Sequence, residues 1–397
     1  MSIADVIVVG AGPAGSVAAA LLARRGFRVT LIDRARFPRD KPCGDYCNPG
    51  AVGTLEAVGC LHELITSGAA PITGMAVYAQ DGGRFEAPFP TAEGLLFPRR
   101  RLDATLLAHA ADAGVAVVEG MRVHEIRVED TYVQARSDAG SSPPFRARLL
   151  IAADGMHSMI AHRLGLLRPL SRGRYTVGAY FSGLPYDAPR GELHLGPDLY
   201  CGVAHFGGGV ANVCMALPRR WLRRRTPEQA FVAAVRHLPV LADALAMATR
   251  ESGFRCAGPV GFAAHPVVAE RTMLVGDAAG QTEPMTGQGI SHALRSAWLA
   301  ARTAAAALES DDLSRRALQP YARQHEREFA PRLMVARWLE RLALRQTLTP
   351  FLVNRLRRRP GLASQLLGAT GDILPPGTVL SPEYLIRFVV GLDAHSA

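Results

Sequence analysis

Ile3-Ala4-Asp5-Val6-Ile7-Val8-Val9-Gly10-Ala11-Gly12-Pro13-Ala14-Gly15 is an apolar, β-branched run that breaks into three spaced glycines and then an alanine-rich stretch reaching Arg25-Gly26. A strand, a glycine turn and a helix make the opening of a dinucleotide-binding βαβ unit. In such a unit Gly10 permits the tight turn, Gly12 lets backbone approach a pyrophosphate, and Gly15 lets helix and strand pack closely. The helix that starts at Pro13 and Ala14 turns unpaired N–H groups and a positive dipole toward the phosphates. The next apolar run, Phe27 to Ile32, ends on Asp33-Arg34, and an acid at this distance hydrogen-bonds the adenosine ribose and disfavours a 2′-phosphate. The nucleotide expected here is FAD or NAD rather than NADP.

Two later segments repeat the strand-acid-glycine design, which a simple NAD dehydrogenase would not need. One is Leu149-Leu150-Ile151-Ala152-Ala153-Asp154-Gly155 with a polar helix start behind it. The other is Met273-Leu274-Val275-Gly276-Asp277-Ala278-Ala279-Gly280, followed by Pro284-Met285-Thr286-Gly287-Gln288-Gly289-Ile290. With these segments the chain resembles the flavoprotein superfamily of the para-hydroxybenzoate hydroxylase fold, which holds aromatic hydroxylases, flavin halogenases and geranylgeranyl reductases. The resemblance implies that Asp277 meets the FAD ribityl chain and that Gly287 to Ile290 lie beside the isoalloxazine. It also implies a FAD contact from Arg99, in Arg99-Arg100-Arg101-Leu102-Asp103 at the start of a helix expected over 103–113. Solvated arginines at a helix start are the plainer reading of that cluster.

Phe37-Pro38-Arg39-Asp40-Lys41-Pro42-Cys43-Gly44-Asp45, and Gly280 where hydroxylases typically carry histidine, are similar to the geranylgeranyl reductase branch, which includes menaquinone side-chain reductases. That branch often carries an aromatic pocket motif. Here Tyr200-Cys201-Gly202-Val203-Ala204-His205 keeps its tyrosine alone, so a wider pocket is expected. Lys41 is the sole lysine and no tryptophan-rich motif accompanies it, which argues against halogenation.

The matching cysteine of the reductases lies near the flavin, which makes Cys43 a proton-donor candidate together with Asp45, Tyr46, Tyr200 and His205. The glycine turn at Gly44 and nearby Arg39 are expected to lower the Cys43 thiol pKa. The six cysteines show no paired CxxC spacing, so no structural metal is expected.

The fold expected is α/β in two domains. A discontinuous Rossmann-type FAD domain takes residues 1–70, 96–168 and 256–310, an antiparallel-sheet substrate domain takes 71–95 and 169–255, and a helical region takes 311–397. A hairpin-like pair is expected through Ser141-Ser142-Pro143-Pro144. The composition, 48% hydrophobic and 20% charged, suits a globular protein. No run spans a bilayer and no leader is recognisable, so the chain is expected to be cytoplasmic or membrane-peripheral.

Net charge is +10, and arginines cluster at 219–225 and 355–359 without a nucleic-acid motif. Nucleic acid is therefore not expected. A solvated face, or contact with an acidic membrane or carrier protein, is. Residues Phe351-Leu352-Val353 and Tyr384 to Phe388 offer a mouth for a hydrophobic substrate. The chemistry expected is FAD-dependent reduction of a double bond in a polyprenyl, polyketide or aromatic compound, with NAD(P)H or another donor supplying electrons. NAD(P)H-dependent monooxygenation is the alternative, and a non-catalytic flavin-binding or electron-transfer subunit the lesser one.

Overall fold

The structure, a computed structural model, describes residues 3–138, 143–281 and 284–390, with backbone alone at 169–172 and 262. Strand β1 (Ala4–Val9) runs into helix α1 (Pro13–Ala23) and strand β2 (Val29–Ile32), the βαβ opening read from the glycines. Strands β3 (Gly74–Tyr78) and β4 (Arg84–Pro88), helix α2 (Arg99–Asp112) and strands β5 (Ala116–Val118) and β6 (Phe145–Ala152) follow. Next come β7 (Leu167–Ser182), β8 (Arg190–Leu195), β9 (Tyr200–Gly207), β10 (Val210–Pro218), β11 (Arg255–Ala264) and β12 (Thr272–Leu274). The remaining long elements are helices α3 (Gly289–Glu309), α4 (Arg315–Ala343), α5 (Thr349–Arg357), α6 (Pro360–Thr370) and α7 (Pro382–Val389).

The first sheet has a parallel centre in the order β12-β6-β1-β2-β5, with Val6 opposite both Leu149 and Val29. Ile7, Val8, Leu31, Ile32, Leu149 and Leu150 are fully buried in it, as continuous apolar strands covered on both faces must be. Helices α1 and α3 pack together against this sheet.

The second sheet runs β11-β7-β10-β9-β8-β3-β4. It is antiparallel except where β8 pairs with β3 in parallel, a junction that joins the 71–95 excursion to the later strands. One expected boundary shifts. Strand β11 belongs to this sheet, so the chain returns to the first sheet at Val268 rather than at 256. Helix α2 begins at Arg99, four residues before the expected start, because Pro98 serves as its N-cap. Ser141 and Ser142 lie outside the described residues, while the strands flanking them, Val133–Ser137 and β6, pair antiparallel.

Helix α4 bridges two cores. Its first half buries Leu318, Tyr321 and Phe329 against the first sheet, and Tyr321 Oη donates to Leu274 O at 2.6 Å. Its second half buries Val335 in a separate apolar cluster with Tyr200, Leu356, Leu367 and Tyr384. No helix among the described residues is long and apolar enough to cross a membrane.

Candidate active site

A cavity of about 900 Å3 extends from the glycine turn of the first sheet, past the second sheet, to helices α4–α7. Gly10, Gly12, Pro13, Ala14, Asp33, Arg34, Asp154 and Gly155 line its polar end. Gly10 has φ +102°, and a Cβ there would sit 2.2 Å from Ala153 O; one at Gly15 would sit 1.8 Å from Gly10 O. Both positions are sterically closed to any side chain. Asp33 braces the turn from behind, accepting from Ala11 N at 2.7 Å and from Ala35 N at 2.8 Å. Helix α1 starts at Gly12 without a side-chain cap, and α3 starts at Gln288 without one. Their first N–H groups therefore stay open to a ligand, the requirement for binding a pyrophosphate and for stabilising negative charge. Bare glycine backbone and open helix ends that donate, with a braced acid that accepts, are the groups that FAD needs.

Asp277, Gly287, Gly289 and Ile290 continue the wall, and Lys41 Nζ lies 3.7 Å from Asp277 Oδ2. A Cβ at Gly287 would meet the Tyr46 ring at 2.6 Å, so this glycine and this tyrosine fit against each other. Gly44 and Arg99 line the cavity too. Arg99 is buried, unlike Arg100 and Arg101. Its Nε and Nη2 donate to Asp103 Oδ1 at 3.1 and 2.9 Å, and Arg39 Nη2 approaches Asp103 Oδ2 at 3.3 Å, so a fully buried carboxylate holds two guanidinium groups at the wall.

Cys43 lines the cavity, and the expected low thiol pKa is corrected. Burial is the largest influence and pushes the thiol up, Arg99 pulls it down, and Asp45 pushes it up again. The group is held as a thiol. Asp45 sits directly behind it, off the wall, with Asp45 N donating to Cys43 Sγ at 3.3 Å. Its carboxyl accepts from Arg99 N at 3.0 Å, from Tyr180 Oη at 2.5 Å and from Asn212 Nδ2 at 2.8 Å. Asn212 Nδ2 also donates to Cys43 O at 2.7 Å. Burial pushes the Asp45 carboxyl up to about 6 despite these donors. Tyr180 and Asn212 face each other across β7 and β10, and no local motif marks either.

Tyr46 and Tyr200 line the cavity, but His205 does not. It is 1% exposed in a cluster with Glu192, His194 and Arg190, of which Glu192 alone reaches the wall. His194 Nε2 lies 2.9 Å and His205 Nε2 3.5 Å from Glu192 Oε2, and Arg190 Nε lies 2.9 Å from Oε1. Burial pushes the Glu192 carboxyl up, but the two imidazoles outweigh it and hold the group down at about 2. Gly15, Gly276 and Gln288 also stand behind the wall rather than in it. Gln288 Nε2 donates to Asp372 Oδ1 at 2.6 Å, Arg332 Nε donates to the same oxygen at 3.0 Å, and Asn48 Nδ2 donates to Asp372 Oδ2 at 2.8 Å. One acid of the C-terminal region thus ties down the start of α3.

Away from the glycines the cavity turns apolar. Met75, Val77, Phe85 and Leu96 join Leu193, Leu195, Ala204 and Ala216 of the second sheet. Leu339, Leu342 and Ala343 of α4, Leu352, Val353 and Leu356 of α5, and Leu385 and Phe388 of α7 close the far end.

This architecture is that of a flavoprotein. The chain matches the family described as FAD binding domain over residues 3–335. It is 32% identical to the menaquinone reductase of Mycobacterium tuberculosis, over 88% of this chain and 85% of that one. It is 29% identical to digeranylgeranylglycerophospholipid reductase 2 of Methanopyrus kandleri, over 82% and 83%. Among solved structures, the flavin-dependent brominase Bmp2 superposes with a TM-score of 0.83 at 18% identity, over 93% of this chain and 94% of that one. The chain belongs to the FAD-binding family, on its geranylgeranyl reductase-like branch. It is an FAD-dependent oxidoreductase.

Proposed function

We propose that this protein reduces carbon–carbon double bonds in a polyprenyl chain. The observation that carries the reading is the continuity of the cavity, from a glycine-lined end that fits FAD to an arm walled by aliphatic and aromatic side chains. Ligand sites of a few hundred to about 1,000 Å3 bury most of a small-molecule ligand, and this arm offers an extended chain contact along its length. Two relatives named for reduction, one of menaquinone and one of a digeranylgeranyl lipid, support the same reading.

Bound and reduced FAD would supply a hydride to one carbon of the double bond. The other carbon needs a proton, and Cys43 Sγ, a half-buried thiol in the wall, is the group held protonated to give it. Asp45 lies behind it, fixed by Tyr180, Asn212 and the Arg99 amide, and orients the Cys43 loop. Gly10, Gly12, Pro13, Ala14, Asp33, Arg34, Gly44, Arg99, Asp154, Asp277, Gly287, Gly289 and Ile290 hold the cofactor, with Gly15, Gly276 and Gln288 shaping that wall. Tyr46 and Tyr200 position the reacting bond. Electrons return to the flavin from NAD(P)H or another external donor.

The test is single-turnover incubation of the reduced protein with a polyprenyl quinone or lipid, followed by mass spectrometry. Gain of two hydrogens per double bond without oxygen supports reduction. Gain of one oxygen atom when air is admitted, with none of the anaerobic product, replaces it with monooxygenation.

A further inference from the structure

The apolar arm does not end inside the protein. Trp338 of α4 and Leu385 of α7 line the cavity and are also exposed, so they form its rim. Around them stand Met334, one turn before Trp338, together with Phe351, Ile386, Val389 and Val390, each more than half exposed. Large apolar side chains gathered at a cavity mouth are not what an aqueous surface selects. The helices that carry them are tied together, since Arg355 of α5 donates to Phe388 O at 2.6 Å and also to Val389 O at the end of α7.

The charge beside this rim is mostly positive. Residues 331–390 hold nine arginines and three acids; two of those acids are engaged by Arg174 and Arg332, and the third, the exposed Glu383, lies 3.7 Å from Arg387. Arg337, Arg341, Arg345, Arg357 and Arg358 are exposed and make no ion pair among the described residues. Arg337 and Arg341 flank Trp338 in α4. An amphipathic surface with tryptophan and aliphatic knobs beside arginines is the pattern that settles into the headgroup region of an anionic bilayer. An acidic carrier protein would match the arginines but would leave the apolar knobs unexplained.

We infer that the ends of α4, α5 and α7 dock on an anionic membrane surface and open the cavity directly toward the lipid, so that a membrane-embedded chain enters without crossing water. This rests on the reading of an apolar, chain-like substrate, but its test does not involve turnover.

The flavin-loaded protein is centrifuged with vesicles of phosphatidylcholine alone and of phosphatidylcholine with phosphatidylglycerol. Binding at least tenfold tighter to the anionic vesicles is expected, weakening as salt rises. The variants I386E/V389E and R337E/R341E should each lower that binding at least tenfold while keeping the bound flavin and melting temperature of the parent. Brominated lipids should quench Trp338 fluorescence, read as the difference between the parent and Trp338→Phe. Equal binding to both vesicle types, undiminished binding by both folded double variants, or binding to an acidic carrier protein with none to vesicles would overturn the proposal. A failure of prenyl reduction beside intact vesicle binding would instead count against the proposed reaction alone.

Discussion

The two ends of the cavity are built by opposite means. The polar end comes from short contiguous motifs in which nearly every residue acts at the level of the backbone. Gly10 and Gly15 admit no side chain, and Asp33 accepts two turn amides. The apolar end is assembled mainly from single residues of β3, β8, β9, β10 and four C-terminal helices, most of which share only being apolar. Function at the first end depends on identity, and at the second on summed volume. Substitutions should therefore be all-or-nothing at one end and graded at the other.

The sharpest break of that contrast is Gly15→Val. With its Cβ 1.8 Å from Gly10 O, backbone must move, so purified protein should lose nearly all bound flavin, measured by its visible absorbance; overpacking typically costs about 1–3 kcal/mol. Retained stoichiometric flavin would show the turn to be more yielding than its geometry. Cys43→Ala comes next, with turnover expected to fall about a hundredfold or more while flavin stays bound. Unchanged turnover would remove Cys43 as the proton donor.

Asp45 ties the Cys43 loop to Tyr180 and Asn212 of the second sheet, and its titration gives a pH test. Its carboxyl rises from 3.8 to about 6 on folding, so the folded state holds the proton more tightly than the unfolded chain. That contribution to stability is complete below pH 3.8 and is lost as pH rises through 6, amounting to about 1–3 kcal/mol. Melting curves across this window should show the loss in the parent and a flatter profile in Asp45→Asn; identical profiles would mean that Asp45 does not titrate there. The smallest effect is reserved for the apolar end. Ala343→Trp should shorten the arm and shift preference from long to short prenyl chains by about tenfold, seen in kcat/KM, without changing flavin content. A shift in flavin binding instead would mean that the two ends are not independent.

The same contrast explains what was legible in the sequence. The βαβ opening, Asp154, and the segments carrying Asp277, Gly287, Gly289 and Ile290 are local patterns, and the structure brings Gly10, Gly12, Asp33, Asp154 and those four residues to one wall. Tyr200 and His205 look like neighbours in sequence, but they are five apart on a strand, and an odd offset sends side chains to opposite faces. That parity was available and would have separated them. Tyr180 and Asn212 gave no such signal, since their common target Asp45 is 135 and 167 residues away and their pairing exists only once β7 and β10 have found their register. The Cys43 thiol failed for a related reason: burial, the largest influence on it, comes from the assembled fold rather than from Gly44 or Arg39. The expectation of a mouth near Phe351 and Tyr384 came from apolar clustering alone, and its geometry depended on how α4–α7 close over the second sheet.

Asp372 has a consequence for how the protein can be rearranged. Its carboxyl is shared among Asn48, Gln288 and Arg332, which lie in three segments far apart in the chain. A chimera that grafts these closing helices onto another flavoprotein would carry the acid but leave Asn48 and Gln288 behind. Exchange of substrate range between such scaffolds therefore has to move the lock together with the door.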